Sequence, residues 1–196
     1  TLGPAPRAVN LLSRSAGECG KPGEGPRGLA AVPGGAFSVE FRRFAREGTM
    51  AVTAEQRQRV AELLGREPRG LEAIAVSDER GEPRVIRVAS LVAGKPFPTL
   101  FWLVDGALNY RIDQVEAGGL IAGFQARVDA EPALQAAMAE DHRAHIALRD
   151  SYLDDDLRAE MARLGFLDVL SGRGIGGIAD FQRIRCLHTW YAAHLV

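Results

Sequence analysis

Residues 73–104 read AIAVSDERGEPRVIRVASLVAGKPFPTLFWLV, and this stretch decides the fold class. It contains two β-rich runs, at residues 73–76 and 84–88, joined by turn-forming residues around Gly81. We predict that the two runs form a hairpin. A third strand is predicted at residues 99–104, because the prolines just before it exclude a helix and favour an extended approach.

Helices are predicted on both sides of this stretch. Ahead of it, Thr53 and Gln56 have the spacing of a capping box, and Gly65 marks the end of the helix that they begin. The spacing of apolar residues predicts further helices, and the full set covers residues 54–64, 107–117, 120–128, 133–153, 157–164 and 187–195. The expected fold is α+β, with a small antiparallel sheet of about three strands covered by a mostly helical C-terminal half.

Three adjacent aspartates, Asp154, Asp155 and Asp156, precede one of these helices. We interpret them as its cap, because negative charge is stabilised at the positive end of a helix dipole. The alternative interpretation is a divalent-cation site. Adjacent side chains on one backbone rarely converge on one ion without other ligands, which favours the cap.

The composition of the chain changes near Met50. Residues 1–49 are rich in Gly and Pro and have no sustained helical or strand period, apart from a short alternation of apolar residues at 36–44 that is compatible with a strand. We predict that residues 1–49 are disordered, or that they are a non-native extension that precedes a native start at Met50. Residues 50–196 are predicted to form a single globular domain.

The overall charge and the cysteine content limit the class of protein. The 196 residues carry a formal net charge of -1, so no basic field supports binding to nucleic acid or to a membrane surface. The chain lacks an apolar run of the ~20 residues that span a bilayer, and it lacks the pattern of a signal peptide. Cys19 and Cys186 lie far apart, unlike the cysteines of a disulfide-rich secreted domain. We predict a cytoplasmic protein.

The C-terminal region places a thiol and an imidazole close together, in the sequence Arg185-Cys186-Leu187-His188. Cys186 and His188 can both be ligands of zinc or another divalent transition metal if they share one side of a turn. His142 is the candidate for a further ligand. The alternative is a buried structural thiol with a hydrogen-bonded histidine. His142 and His145 are spaced so that one can face solvent while the other packs inside.

The same residues also allow a nucleophilic site. Cys186 is a candidate nucleophile, activated by Arg185 or His188, because a nearby cation lowers the pKa of a thiol. His142 is a candidate base from elsewhere in the chain. The sequence around Cys186 matches no protease or phosphatase signature. The candidate catalytic residues are therefore His142, Cys186 and His188.

A glycine-rich turn shortly before Cys186 can hold an anion through successive backbone N–H groups. It lacks the features of a P-loop and of a dinucleotide-binding fingerprint. Arginines from several segments can converge on it, since their guanidinium groups suit phosphate and carboxylate. The alternative is a solvated loop with local ion pairs such as Arg149 with Asp150. The candidate anion-binding residues are Arg66, Arg69, Arg149, Arg185, Gly174, Gly176 and Gly177.

Several segments together resemble a known family. They are residues 64–70, 96–105 and 115–119, His142 with Arg149-Asp150, and the C-terminal motif. Over about residues 60–195 the chain resembles the bacterial domain-of-unknown-function family 501, although Gly106 stands where a proline is typical. That family has no established activity. Its members are often encoded near cell-division, enolase and polyphosphate-hydrolysing genes, so the resemblance implies a link with cell division or phosphate metabolism.

Two functional hypotheses follow. The first is a cytosolic protein with an anion or metal site built from the arginines, His142, Cys186 and His188, acting on a phosphorylated or carboxylated small molecule. The second is a non-catalytic adaptor whose helices contact a protein of cell division or phosphate metabolism. The expected partners are a small anionic ligand under the first hypothesis and a protein under the second. Either allows a homo-oligomer.

Overall fold

The computed structural model describes residues 51–196. Five short strands and seven α-helices are formed by these residues, with one 3-10 turn at Ile175–Gly177 before the last helix. The strands are β1 Leu71–Ser77, β2 Pro83–Val88, β3 Leu91–Val92, β4 Lys95–Pro96 and β5 Phe101–Leu103. The helices are α1 Ala54–Leu64, α2 Gly106–Ala117, α3 Leu120–Ala130, α4 Pro132–Ser151, α5 Asp155–Arg163, α6 Phe166–Ser171 and α7 Leu187–Leu195. The predictions for residues 1–49, including the alternation at 36–44, lie outside the described residues.

The main sheet is the predicted one. Strands β1, β2 and β5 lie side by side in that order, and both pairs are antiparallel. Ile86 is central, since it lies opposite Ile74 of β1 and Trp102 of β5. With the helical C-terminal half, this sheet confirms the α+β fold class. The small hairpin of β3 and β4 was not predicted, because two-residue strands leave almost no periodic signal in a sequence.

The sheet lies between helices on both faces. Val60 of α1 packs on one face with Ile86 and Val104. On the other face, Phe101 packs with Ala192 of α7, in a cluster that also includes Ile112 of α2. This second face positions the candidate site, because it brings α2 and α7 together over β5.

Local capping signals account for several helix boundaries. The Thr53 side chain accepts a hydrogen bond from the Gln56 N–H at 3.1 Å, and the Gln56 side chain accepts one from the Thr53 N–H at 3.0 Å, so the capping box is confirmed. Asp154 caps α5 by accepting a hydrogen bond from the Leu157 N–H at 2.7 Å, which confirms the capping interpretation of the aspartates. Helix α6 was not predicted, because it is only 6 residues long. Within residues 51–196, none of the helices is both long and apolar enough to cross a membrane.

One expectation about helix α4 is wrong. His142 and His145 are both buried, with relative exposures of 0% and 7%, so neither faces solvent. Residues three, four and seven positions apart share a helix face, and Arg149, which follows His142 by seven positions and His145 by four, is also fully buried. The face of α4 that carries these three residues is therefore an interior face in spite of its polar side chains.

Candidate metal site

The first turn of α7 and one face of α2 meet at the edge of the sheet. Cys186 is the N-cap residue of α7, and His188 lies in its first turn. Glu116 lies near the end of α2, and all three side chains are half-buried. The predicted pair of Cys186 and His188 is therefore joined by a carboxylate from a distant part of the chain.

The ligand atoms of these three residues converge on one point. Cys186 Sγ lies 3.4 Å from His188 Nδ1, which in turn lies 3.4 Å from Glu116 Oε1. One ligand atom from each residue lies within 4.8 Å of the other two. The other ring nitrogen of the histidine, Nε2, lies 3.3 Å from Asp113 Oδ1. The imidazole of His188 thus lies between two carboxylates, both of which belong to α2.

Two backbone contacts hold this arrangement. The Leu187 N–H donates a hydrogen bond to Glu116 Oε1 at 2.5 Å, so the carboxylate also satisfies a free N–H group at the start of α7. The Thr189 hydroxyl donates to the Cys186 carbonyl at 3.1 Å. These two hydrogen bonds of the first residues of α7 therefore fix Cys186 next to Glu116 of α2.

The thiol is not activated in the way that the nucleophile hypothesis expected. Burial raises the pKa of Cys186, and the negative charge of Glu116 adds to the shift. Arg185 is exposed. Hydrogen bonds from the backbone of Thr189 and His188 lower the pKa of this thiol, but burial outweighs them, so the net shift is opposite to the expected activation. A nucleophilic role is correspondingly disfavoured.

Two of the three ligand–ligand distances suit a tetrahedral metal site. Metal–ligand bonds of about 2.0–2.3 Å to sulfur, nitrogen and oxygen give ligand–ligand distances of roughly 3.3–3.6 Å. The two contacts of His188 Nδ1, with Cys186 Sγ and Glu116 Oε1, are both 3.4 Å. The thiol–imidazole contact alone is also expected for a structural thiol with a hydrogen-bonded histidine. Besides its hydrogen bond with the start of α7, the Glu116 carboxylate adds a third potential ligand, which a thiol–imidazole pair alone does not have.

His142 does not belong to this group. Its ring stacks on Phe181 with 4.7 Å between centroids and meets Trp190 edge-on at 5.0 Å. Its Nδ1 accepts a hydrogen bond from the Ile175 N–H at 3.0 Å, and the residue is fully buried. Within residues 51–196, the group of convergent metal-ligating side chains consists of Glu116, Cys186 and His188. His142 is thus a core residue that supports the glycine-rich turn.

The glycines of that turn are explained by close packing. A Cβ atom on Gly174 would overlap the ring of His142, and one on Gly176 would lie 2.7 Å from the Thr189 hydroxyl oxygen. The N–H groups of Gly174 and Gly177 donate at 2.9 Å to the carbonyls of Ile178 and Gly174. Because these donors are already used within the turn, the contacts count against an anion cradle formed by its backbone.

This packing predicts that Gly174→Ala destabilises the protein by about 1–3 kcal/mol, since the added methyl group overpacks a buried site. The matched control is Gly123→Ala, at a position within α3 where a Cβ meets nothing within 4 Å. It is expected to stabilise the helix by about 0.5–1 kcal/mol. Urea unfolding of both variants measures the difference. If Gly174→Ala is as stable as the wild type, the turn does not need a glycine at position 174.

The structure does not gather the predicted arginines around one anion. Arg149 is fully buried, and its guanidinium donates to three backbone carbonyls, those of Pro98, Leu170 and Arg173. The expected ion pair with Asp150 is not among these contacts. Arg66 lies over the Trp102 ring, 5.0 Å from its centroid. Arg69 and Arg185 are exposed. The four arginines therefore lie in different environments, and anion binding by these residues stays a prediction.

Sequence reasoning missed Glu116 and Asp113 as site residues. Their spacing of three on a predicted helix was a usable signal, because such residues share a helix face. The partner of that face was not readable, since α2 and α7 lie about 70 residues apart in the chain and meet only in the tertiary structure.

The comparisons with known proteins agree with the resemblance in the sequence. A family model described as "Protein of unknown function (DUF501)" matches residues 74–196. The chain belongs to this family. The DUF501 match covers the main sheet from within β1 onward and all the side chains of the candidate metal site. No curated protein and no solved structure gave a significant match to the chain.

Proposed function

We propose that the chain binds a divalent transition metal, with zinc as the best fit, through Glu116, Cys186 and His188. The observation that carries this proposal is the convergence of three ligand atoms within 4.8 Å of one another. A thiolate and an imidazole favour zinc and similar metals, whereas magnesium and calcium prefer oxygen ligands.

The charges of the site support the same conclusion. A thiolate and a carboxylate at this distance repel each other unless a cation lies between them. In the absence of metal, the pKa of Cys186 is raised, so the thiol keeps its proton. A metal ion replaces that proton and compensates both negative charges, which is the usual coupling of metal binding to deprotonation.

Three protein ligands leave a coordination position for water or a substrate. Structural zinc sites are normally closed by four protein ligands, whereas catalytic sites keep one position open. The side chains of Glu116, Cys186 and His188 are all half-buried, so the site is within reach of solvent. We therefore propose a site of the open type, capable of hydrolytic or Lewis-acid chemistry. An oxygen atom of a phosphorylated or carboxylated small molecule is a suitable fourth ligand.

The test is elemental analysis of protein purified without an affinity tag or chelator. We expect about one zinc ion per chain in the wild type, in keeping with a single site. The Cys186→Ser, His188→Ala double variant is expected to lose it, and Glu116→Gln to retain less than the wild type. Titration of metal-free protein with Co²⁺ gives a second readout, because a thiolate ligand produces a charge-transfer band.

The control variant is Cys19→Ser, which removes the other cysteine of the chain and is expected to leave the metal content unchanged. If the wild type contains no metal and Co²⁺ produces no thiolate band, the proposal is wrong. Equal metal content in the wild type and the double variant would also contradict it, since the metal would then lie elsewhere.

A further inference from the structure

The side chain of Asp113 has no evident role in the stability of the fold. It is 63% exposed, and its contact is with Nε2 of His188 at 3.3 Å. A contact of this kind contributes little to stability, because the carboxylate remains largely solvated. We therefore considered whether Asp113 has a function in the candidate metal site, which lies at the other ring nitrogen of His188.

The imidazole of His188 contacts one carboxylate through each ring nitrogen. Glu116 lies on the Nδ1 side at 3.4 Å, and Asp113 lies on the Nε2 side. A neutral imidazole has a single N–H group, so it can donate to only one of the two carboxylates. The other carboxylate then faces a lone pair, which is repulsive. Either a proton on both nitrogens or a metal ion at Nδ1 removes this conflict, and with the metal bound the proton is on Nε2 and donates to Asp113.

We propose that Asp113 is a positioning residue of the metal site, acting through the Nε2–H group of His188. This inference rests on the proposed metal-binding function. Asp113 holds the ring in the orientation and the tautomer that present the Nδ1 lone pair to the metal. Histidine ligands commonly donate their second N–H group to a carboxylate, which also makes the ligating nitrogen more basic.

The geometry of α2 explains why one helix can supply both carboxylates. Asp113 and Glu116 are three residues apart, so they project from the same face with an axial separation of roughly 4.5 Å. The two side chains reach opposite nitrogens of the same imidazole, at 3.3 Å for Asp113 and 3.4 Å for Glu116. Helix α2 therefore contributes one metal ligand and the group that orients another ligand.

The test is to measure the zinc affinity of four proteins by competition with a chromophoric chelator. Asp113→Asn is expected to bind zinc about 10–100-fold more weakly than the wild type, since the loss of an outer carboxylate typically has this effect. Asp113→Glu should restore part of the affinity. Glu79→Gln removes one exposed carboxylate in the turn between β1 and β2, and it should bind zinc as the wild type does.

Two further readouts separate positioning from a structural role. The thermal midpoint of the metal-free protein should be the same for Asp113→Asn and the wild type. In the zinc-loaded wild type, ¹⁵N NMR should show a protonated Nε2 in His188, and its proton should exchange with water faster in Asp113→Asn. If the wild type and Asp113→Asn bind zinc equally tightly, the positioning role of Asp113 is wrong, whereas the metal site stands. Failure of the wild type to bind zinc would overturn the metal site as well.

Discussion

Arg149→Met is expected to lower the free energy of unfolding by at least about 3 kcal/mol, because a hydrogen bond to a charged group contributes roughly 1.5–3 kcal/mol and Arg149 makes three of them. Its guanidinium joins Pro98, at the approach to β5, to Leu170 in α6 and to Arg173 before the glycine-rich turn. A methionine has similar length, so it fills the space without replacing the donors. The effect is measured by urea unfolding at neutral pH.

The matched control for this variant is Arg143→Met, which removes an exposed arginine from the same helix. Its stability should lie within about 0.5 kcal/mol of the wild type, as is usual for surface substitutions. Arg149→Lys should fall between the two, because an ammonium group cannot reach all three carbonyls at once. If Arg149→Met and Arg143→Met unfold at the same urea concentration, the carbonyl contacts of Arg149 are not important for the fold.

The protein is expected to lose stability steeply as the pH falls from 6.5 toward 5. Burial lowers the pKa of His142 to about 4 and that of His145 to about 3, from 6.5 for both, and the positive charge of Arg149 contributes to the shift of His145. Both histidines are therefore neutral in the folded protein, whereas the unfolded chain takes up protons below pH 6.5. Each histidine lowers the free energy of unfolding by up to about 1.4 kcal/mol per pH unit over this range.

The variant that tests this explanation is His145→Leu. Nε2 of His145 is buried without a hydrogen-bond partner. A leucine of similar volume therefore removes no hydrogen bond made by this atom. The slope of stability against pH should fall by up to about 1.4 kcal/mol per pH unit, since one of the buried histidines that titrate on unfolding is gone. Unfolding free energies between pH 6.5 and 5 measure it, because most carboxylates stay ionised there. A wild-type stability that is constant over this range would contradict the prediction.

Much of the local structure could be predicted from local signals. Helix α1 has the predicted bounds because Thr53, Gln56 and Gly65 are short-range capping signals. Helix α7 also has its predicted bounds, 187–195. The elements that were missed, β3, β4 and α6, are too short for a period to be recognised. The burial of Arg149 was also missed, because a charged residue in a helix is normally expected on its surface.

The sequence by itself determined the α+β class, the central sheet of three antiparallel strands, the ends of the capped helices, and the closeness of Cys186 and His188 in the chain. These follow from periodicity and capping, which act over a few residues. Only the tertiary structure decided that Glu116 and Asp113 belong with this pair, and that His142 and Arg149 are interior supports. The physical reason is that both outcomes depend on which helix faces pack together, and this is set by the burial of apolar surface between α2, α4, α7 and the sheet.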